Sequence, residues 1–223
     1  MWCIPPQQNA EFVARMEAVL DLYQRPYNPR EPVICMDESL KELHIAIHFP
    51  LQTAPRRPAR FDYLYKPVGV GLLLLCVEPL RGWRYVQVRE HRKLEDWALF
   101  MRQVLNDFYP DATTIHLVVD NLNIHTPAAF YKTFPPDEAK RLVDRITFHY
   151  TPVHGSWLNM AEIEFGVLKR QCLSQRFPSR DLLSHSLQAW FETRNALAPK
   201  INWQFTVDDA RVKLRHLYPS FDA

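Results

Sequence analysis

The chain has 223 residues, 47% of them hydrophobic and 23% charged, with five glycines against eighteen prolines; that length buries the core of one domain, and the scarcity of glycine favours rigid turns over flexible linkers. A net charge of +2 rules out reading a nucleic-acid partner from total charge, so the question rests on where the charges lie. The longest apolar run, VGVGLLLLCV, is about half of the ~20 residues a membrane span needs, and no signal peptide opens the chain, which points to a cytoplasmic protein.

Residues 1–31 are expected to form an arm or linker, with a helical patch, AEFVARMEAVLDLY, stopped by Pro26, Pro29 and Pro32. From there short strands are expected: VICMD as a first buried strand, KELHIAIHF as a second short one, then VGVGLLLLCVE and WRYVQVRE as an antiparallel pair turning through Pro79 and Gly82. Between them PLQTAPRRPARFDY reads as a basic loop. KLEDWALFMRQVLNDFY sets Leu94, Trp97, Ala98, Met101, Val104, Leu105 and Phe108 at helical spacing. TIHLVVD lacks alternation, so both of its faces are expected to be buried. A proline-bounded helical stretch from Pro127 to Asp144, the strand ITFHYTP, and the helices SWLNMAEIEFGVLKRQCL and SRDLLSHSLQAWFETRNAL follow. The sum is a mixed α/β sheet covered on both faces.

Cys3, Cys35, Cys76 and Cys172 are widely spaced and lack C-x-x-C pairing, so buried reduced thiols are expected. His44 and His48 read as one face of a strand, and Trp97, Trp157, Trp190 and Trp203 as core. Basic residues group at Arg56, Arg57 and Arg60, at Arg89, His91, Arg92 and Lys93, and at Lys169, Arg170, Arg176 and Arg180.

Asp37 and Asp120 each close a buried strand, where an unpaired carboxylate costs several kcal/mol. If the two strands are parallel neighbours, both acids emerge at one edge of the sheet. In the later helix Ala161, Phe165, Leu168 and Cys172 form an apolar stripe; Glu162 lies on its margin, while Glu164 is expected to point further away. Asp37, Asp120 and Glu162 would form a hard, all-oxygen cluster suited to two Mg²⁺ or Mn²⁺ ions and to in-line attack on a phosphodiester.

VICMDES, LVVDNLNIHTPAAFY and FHYTPVHGSWLNMAEIEFGVLKRQCL resemble the catalytic domain of mariner-like bacterial transposases, the insertion-sequence 630 family of the DDE superfamily. The resemblance implies an RNase H-like, retroviral-integrase-like mixed five-stranded sheet flanked by helices over residues 32–199, with residues 200–223 a tail packing on it. It places the acid triad on Asp37, Asp120 and Glu162. It implies cleavage at transposon ends and 3′-hydroxyl strand transfer into target DNA at a TA dinucleotide, by a homodimer on double-stranded DNA in the nucleoid. Arg56, Arg57 and Arg60 would then hold phosphates, with Asn121, His125, His154, Trp157, Asn159 and Lys169 as further DNA contacts. The family carries helix-turn-helix domains ahead of its core, so this chain is expected to start in the connecting linker and to work with an upstream helix-turn-helix half. The alternatives are an RNase H-like structure-specific nuclease and a non-catalytic fragment that binds DNA or intact transposase.

Overall fold

The computed structural model describes residues 4, 7–47 and 64–219. Cys3, His48 and the basic loop with Arg56, Arg57 and Arg60 lie outside the described residues. The first helix, α1 (Ala10–Tyr23), is N-capped by Asn9, whose side chain accepts from the Phe12 amide. Its apolar residues Phe12, Met16, Val19, Leu20 and Tyr23 are buried in one cluster with Cys35 and Val118 of the sheet. The helix expected in an arm is therefore packed on the core.

One strand, β1 (Val33–Ala46), runs through both segments expected to be separate strands. No glycine or proline interrupts ESLKEL, and the antiparallel ladder with β2 (Tyr65–Glu78) continues past that stretch, with one irregularity between Leu43 and His44. The expected break is thus corrected: a partner strand satisfies the backbone where local pattern suggested a turn. β3 (Trp83–Arg89) pairs antiparallel with β2, through a turn in which Gly82 takes φ 73°.

The next helix, α2 (Leu94–Gln103), ends in a wider π-helical turn, Val104–Phe108. Then β4 (Ile115–Val119) joins β1 in parallel, and the stretch from Pro127 divides into α3 (Pro127–Thr133) and α4 (Pro136–Val143) at Pro135. β5 (Ile146–Tyr150) pairs parallel with β4, completing a five-stranded mixed sheet of order β3-β2-β1-β4-β5. The chain closes with a short 3₁₀ turn, Ser156–Leu158, and helices α5 (Met160–Gln171), α6 (Arg180–Leu197) and α7 (Val207–Lys213).

Period-two alternation sends the strands' side chains to two cores. Ile34, Met36, Leu117 and Val119 join Trp97, Phe100 and Phe130 of α2 and α3. Cys35, Leu73, Leu75 and Val118 join α1, α5, α6 and Ala210 of α7 on the other face. The architecture is the expected α/β sheet flanked by helices. Cys35, Cys76 and Cys172 are free and buried, and Trp97, Trp157 and Trp190 are buried. Among the described residues no helix is long and apolar enough to cross a membrane.

Candidate active site

The parallel register pairs Cys35 of β1 with Val118 of β4. Two residues further along the two chains stand Asp37, still within β1, and Asp120, just past the end of β4. Asp37 does not end its strand as expected. It stands inside β1, paired with Leu75 of β2, at the level where β4 stops. The sheet therefore opens beside Asp37 on one side only. Asp37 shares its face with Cys35 and the core that holds α5, whereas Glu38 shares its face with Met36, Trp97 and Phe130. Two adjacent acids are thus sent to opposite sides of the sheet.

The third acid is brought in by α5. Asn159 caps that helix by accepting from the Ala161 amide at 3.1 Å, and its Nδ2 donates to the Met36 carbonyl at 2.8 Å. One buried side chain so fixes the start of α5 to the residue before Asp37. α1 braces the same junction, its Tyr23 hydroxyl donating to the Leu158 carbonyl at 2.7 Å. Glu162 occupies the first turn of α5 and is exposed.

Burial pushes the Asp37 carboxyl up to about 7; the charges of Asp120 and Glu162 add to this, and the Glu38 amide, 2.7 Å from Oδ1, pulls the other way. Burial would raise Asp120 too, though less deeply, yet hydrogen bonds from His125 and the Leu122 amide hold it below the usual range. Burial would lower His125, but its bonds to Asp120 and Glu38 and their charges raise it to about 9. Glu38 in turn accepts from Arg92 at 2.6 Å.

Among the described residues no three ligating side chains already close around an ion position. The donor set nonetheless fits a hard divalent cation. Asp37 and Asp120 each have Oδ1 committed to protein donors, with no donor to Oδ2 among the described residues, and the burial and carboxylate repulsion that raise Asp37 are what a cation would relieve.

Of the residues expected to touch DNA, Asn121, His154 and Lys169 are exposed, and His154 adopts φ 66°. Asn121 meets Arg15 and donates to the Thr151 carbonyl. His125, Trp157 and Asn159 are buried, and His125 and Asn159 spend their polar groups on the protein itself. The apolar stripe of α5 is buried as expected, but Glu164 is buried with it rather than turned away, held by Arg84 and Arg194. Those arginines come from β3 and α6. The part played by Glu38 and His125 went unread in the sequence; its signal was an acid next to Asp37 and a histidine five residues after Asp120.

A family model described as DDE superfamily endonuclease matches residues 32–184. Among solved structures, the chain is similar to a Mos1 mariner paired-end complex with Mn, at 14% identity and TM-score 0.54, covering 88% of this chain and 60% of that one. A Mos1 strand transfer complex gives 14% identity and TM-score 0.55, with 89% and 60% covered. A mariner Mos1 paired-end complex with Mg gives 13% and 0.57, with 99% and 66% covered. At such identities the likeness is one of fold, the RNase H-like fold of that transposase. The chain spans 60% of the length of the first two of these structures. Among curated proteins none matches significantly.

Proposed function

Because the chain belongs to the DDE superfamily of endonucleases, we propose that it is the catalytic domain of a mariner-like, insertion-sequence 630-type DNA transposase. It would cut phosphodiesters at transposon ends and join the freed 3′-hydroxyl to target DNA at a TA dinucleotide. The observation that supports this reading is the parallel pairing of β1 with β4 up to Cys35 and Val118, two residues short of Asp37 and Asp120, together with the charges of Asp120 and Glu162 acting on Asp37.

Asp37, Asp120 and Glu162 would hold two Mg²⁺ or Mn²⁺ ions. When bound, such ions supply charge neutralisation and an activated water or 3′-hydroxyl for in-line attack. The protein's own share is placement. Asp120 is held ionised by His125, Asn159 anchors the helix carrying Glu162, and Asp37 lends a carboxylate whose charge a cation would stabilise. Asn121, His154 and Lys169, with Arg56, Arg57 and Arg60, would face the DNA backbone, giving affinity more than sequence choice. Recognition of transposon ends would come from a helix-turn-helix half, with a homodimer assembled on DNA.

The test is a labelled transposon-end duplex incubated with the chain and Mg²⁺, alone and with plasmid. Metal-dependent nicking followed by joining to plasmid, both lost in Asp120→Asn, is the expected result. Nicking without joining would mark a structure-specific nuclease. DNA binding without metal-dependent nicking would sink the enzymatic reading.

A further inference from the structure

We infer that His125 and Glu38 form a positioning pair that aims the Asp120 carboxylate at the cation site, an inference that rests on the function proposed above. Asp120 Oδ1 lies 2.7 Å from His125 Nδ1 and accepts from the Leu122 amide at 3.1 Å. His125 Nε2 lies 3.2 Å from Glu38 Oε1, and Glu38 Oε2 accepts from Arg92 Nε at 2.6 Å. The side chains of His125 and Glu38 are 1% and 3% exposed.

His125 is anchored through its backbone and packed against an aromatic ring. Its backbone amide donates to the Leu122 carbonyl at 2.9 Å, its carbonyl accepts from the Tyr150 hydroxyl at 2.8 Å, and its ring lies 5.5 Å from that of Trp97. Rotating it would break both carboxylate bonds at once. With two donors fixed on Oδ1, Asp120 keeps Oδ2 for the mouth of the site. Glu38, on the opposite face of β1 from Asp37, thereby acts on the site through the histidine and touches neither substrate nor cation. Partners of this kind orient a metal ligand, and their loss typically weakens metal binding about 10–100-fold.

The test is Mn²⁺ alone titrated into the full chain and its variants at fixed pH, with free ion followed by electron paramagnetic resonance and folding by circular dichroism. Asparagine sets its amide near the place of Nδ1 and keeps a donor to Asp120; glutamine reaches towards the place of Nε2 and keeps only the Glu38 side. His125→Gln should therefore weaken Mn²⁺ binding about 10–100-fold, and His125→Asn should recover most of it. A folded His125→Gln that binds like wild type, or equal losses in the two variants, overturns the inference. If His125→Gln does not fold, Arg92→Lys decides: lysine keeps a cation beside the buried Glu38 carboxylate but not the fixed Nε bond to its Oε2, and Mn²⁺ binding should weaken by a smaller factor, whereas unchanged binding overturns the inference. Wild-type protein that binds no Mn²⁺ overturns the function proposed above and this inference with it; equal binding by wild type and variants overturns this inference alone.

Discussion

Arg84 Nε lies 3.1 Å from Glu164 Oε1, in a pair whose side chains are 0% and 1% exposed. Arg84 also donates to the carbonyls of Gly82 and Pro199, and Arg194 meets the same glutamate at 2.8 Å. β3, α5 and α6 are joined there by charge. Removing one member strands the others in the interior, so Glu164→Ala should cost about 3–5 kcal/mol in urea unfolding. Glu162→Ala, on an exposed turn of the same helix, should stay within about 0.5 kcal/mol while abolishing nicking. A large stability loss at Glu162 with activity kept would reverse the roles of the two glutamates.

Asp37 and Asp120 should link metal to stability. At free Mn²⁺ a hundredfold above its dissociation constant, the folded chain should gain about 2.7 kcal/mol, visible as a raised melting temperature. Asp37→Asn and Asp120→Asn should lose this gain. In chelator Asp37→Asn should melt no lower than wild type, since it removes a charge that two neighbouring carboxylates repel. The comparison is a calorimetric melt with and without the ion.

His149 gives a pH dependence away from the site. Burial first, then the charges of His116 and Arg25, pull its ring down to about 4, and His116 Nδ1 lies 3.0 Å from its Nε2. An unfolded imidazole titrates near 6.5. Between about 6.5 and about 4 the unfolded chain holds a proton that the folded chain lacks, so stability falls as pH falls through that window and is untouched above it. His149→Gln should flatten the slope relative to wild type. Urea midpoints at several pH values across the window measure the difference, and parallel slopes would reject the assignment.

Gly82 is required by position. Its φ is 73°, and a Cβ there would run into the Ala198 carbonyl at the end of α6. Gly82→Ala combines a left-handed backbone with a backbone clash and should cost about 2–4 kcal/mol. Chemical denaturation checks it; a loss under about 1 kcal/mol would mean that α6 can shift away.

Much of the fold could be read along the chain because hydrophobic periodicity is local. LVV and LLLLCV announce buried strands, and Trp97, Ala98, Met101 and Leu105 announce a helix face, whatever they pack against. Asp37 and Asp120 could be singled out in the same way, as acids where apolar runs stop. What lay beyond reach was everything decided by a distant neighbour. β1 does not break after Asp37 because β2, some thirty residues on, supplies its ladder. The helix before Pro26 looked like an arm because nothing in its own residues says that Leu158, Val118 and α7 will cover it.

By itself, then, the sequence determined which segments become strands and helices, which stripe of α5 turns inward, and that two acids stand where buried strands meet polar residues. Only the tertiary structure decided that Glu164 is buried against Arg84 and that Glu38 reaches Asp120 through His125. The physical reason is that periodicity sets the direction in which a side chain leaves its own backbone. Its solvation and its hydrogen-bond partners are set by whichever element packs on that side, and for Glu164 and Glu38 those partners come from 30 or more residues away in the chain.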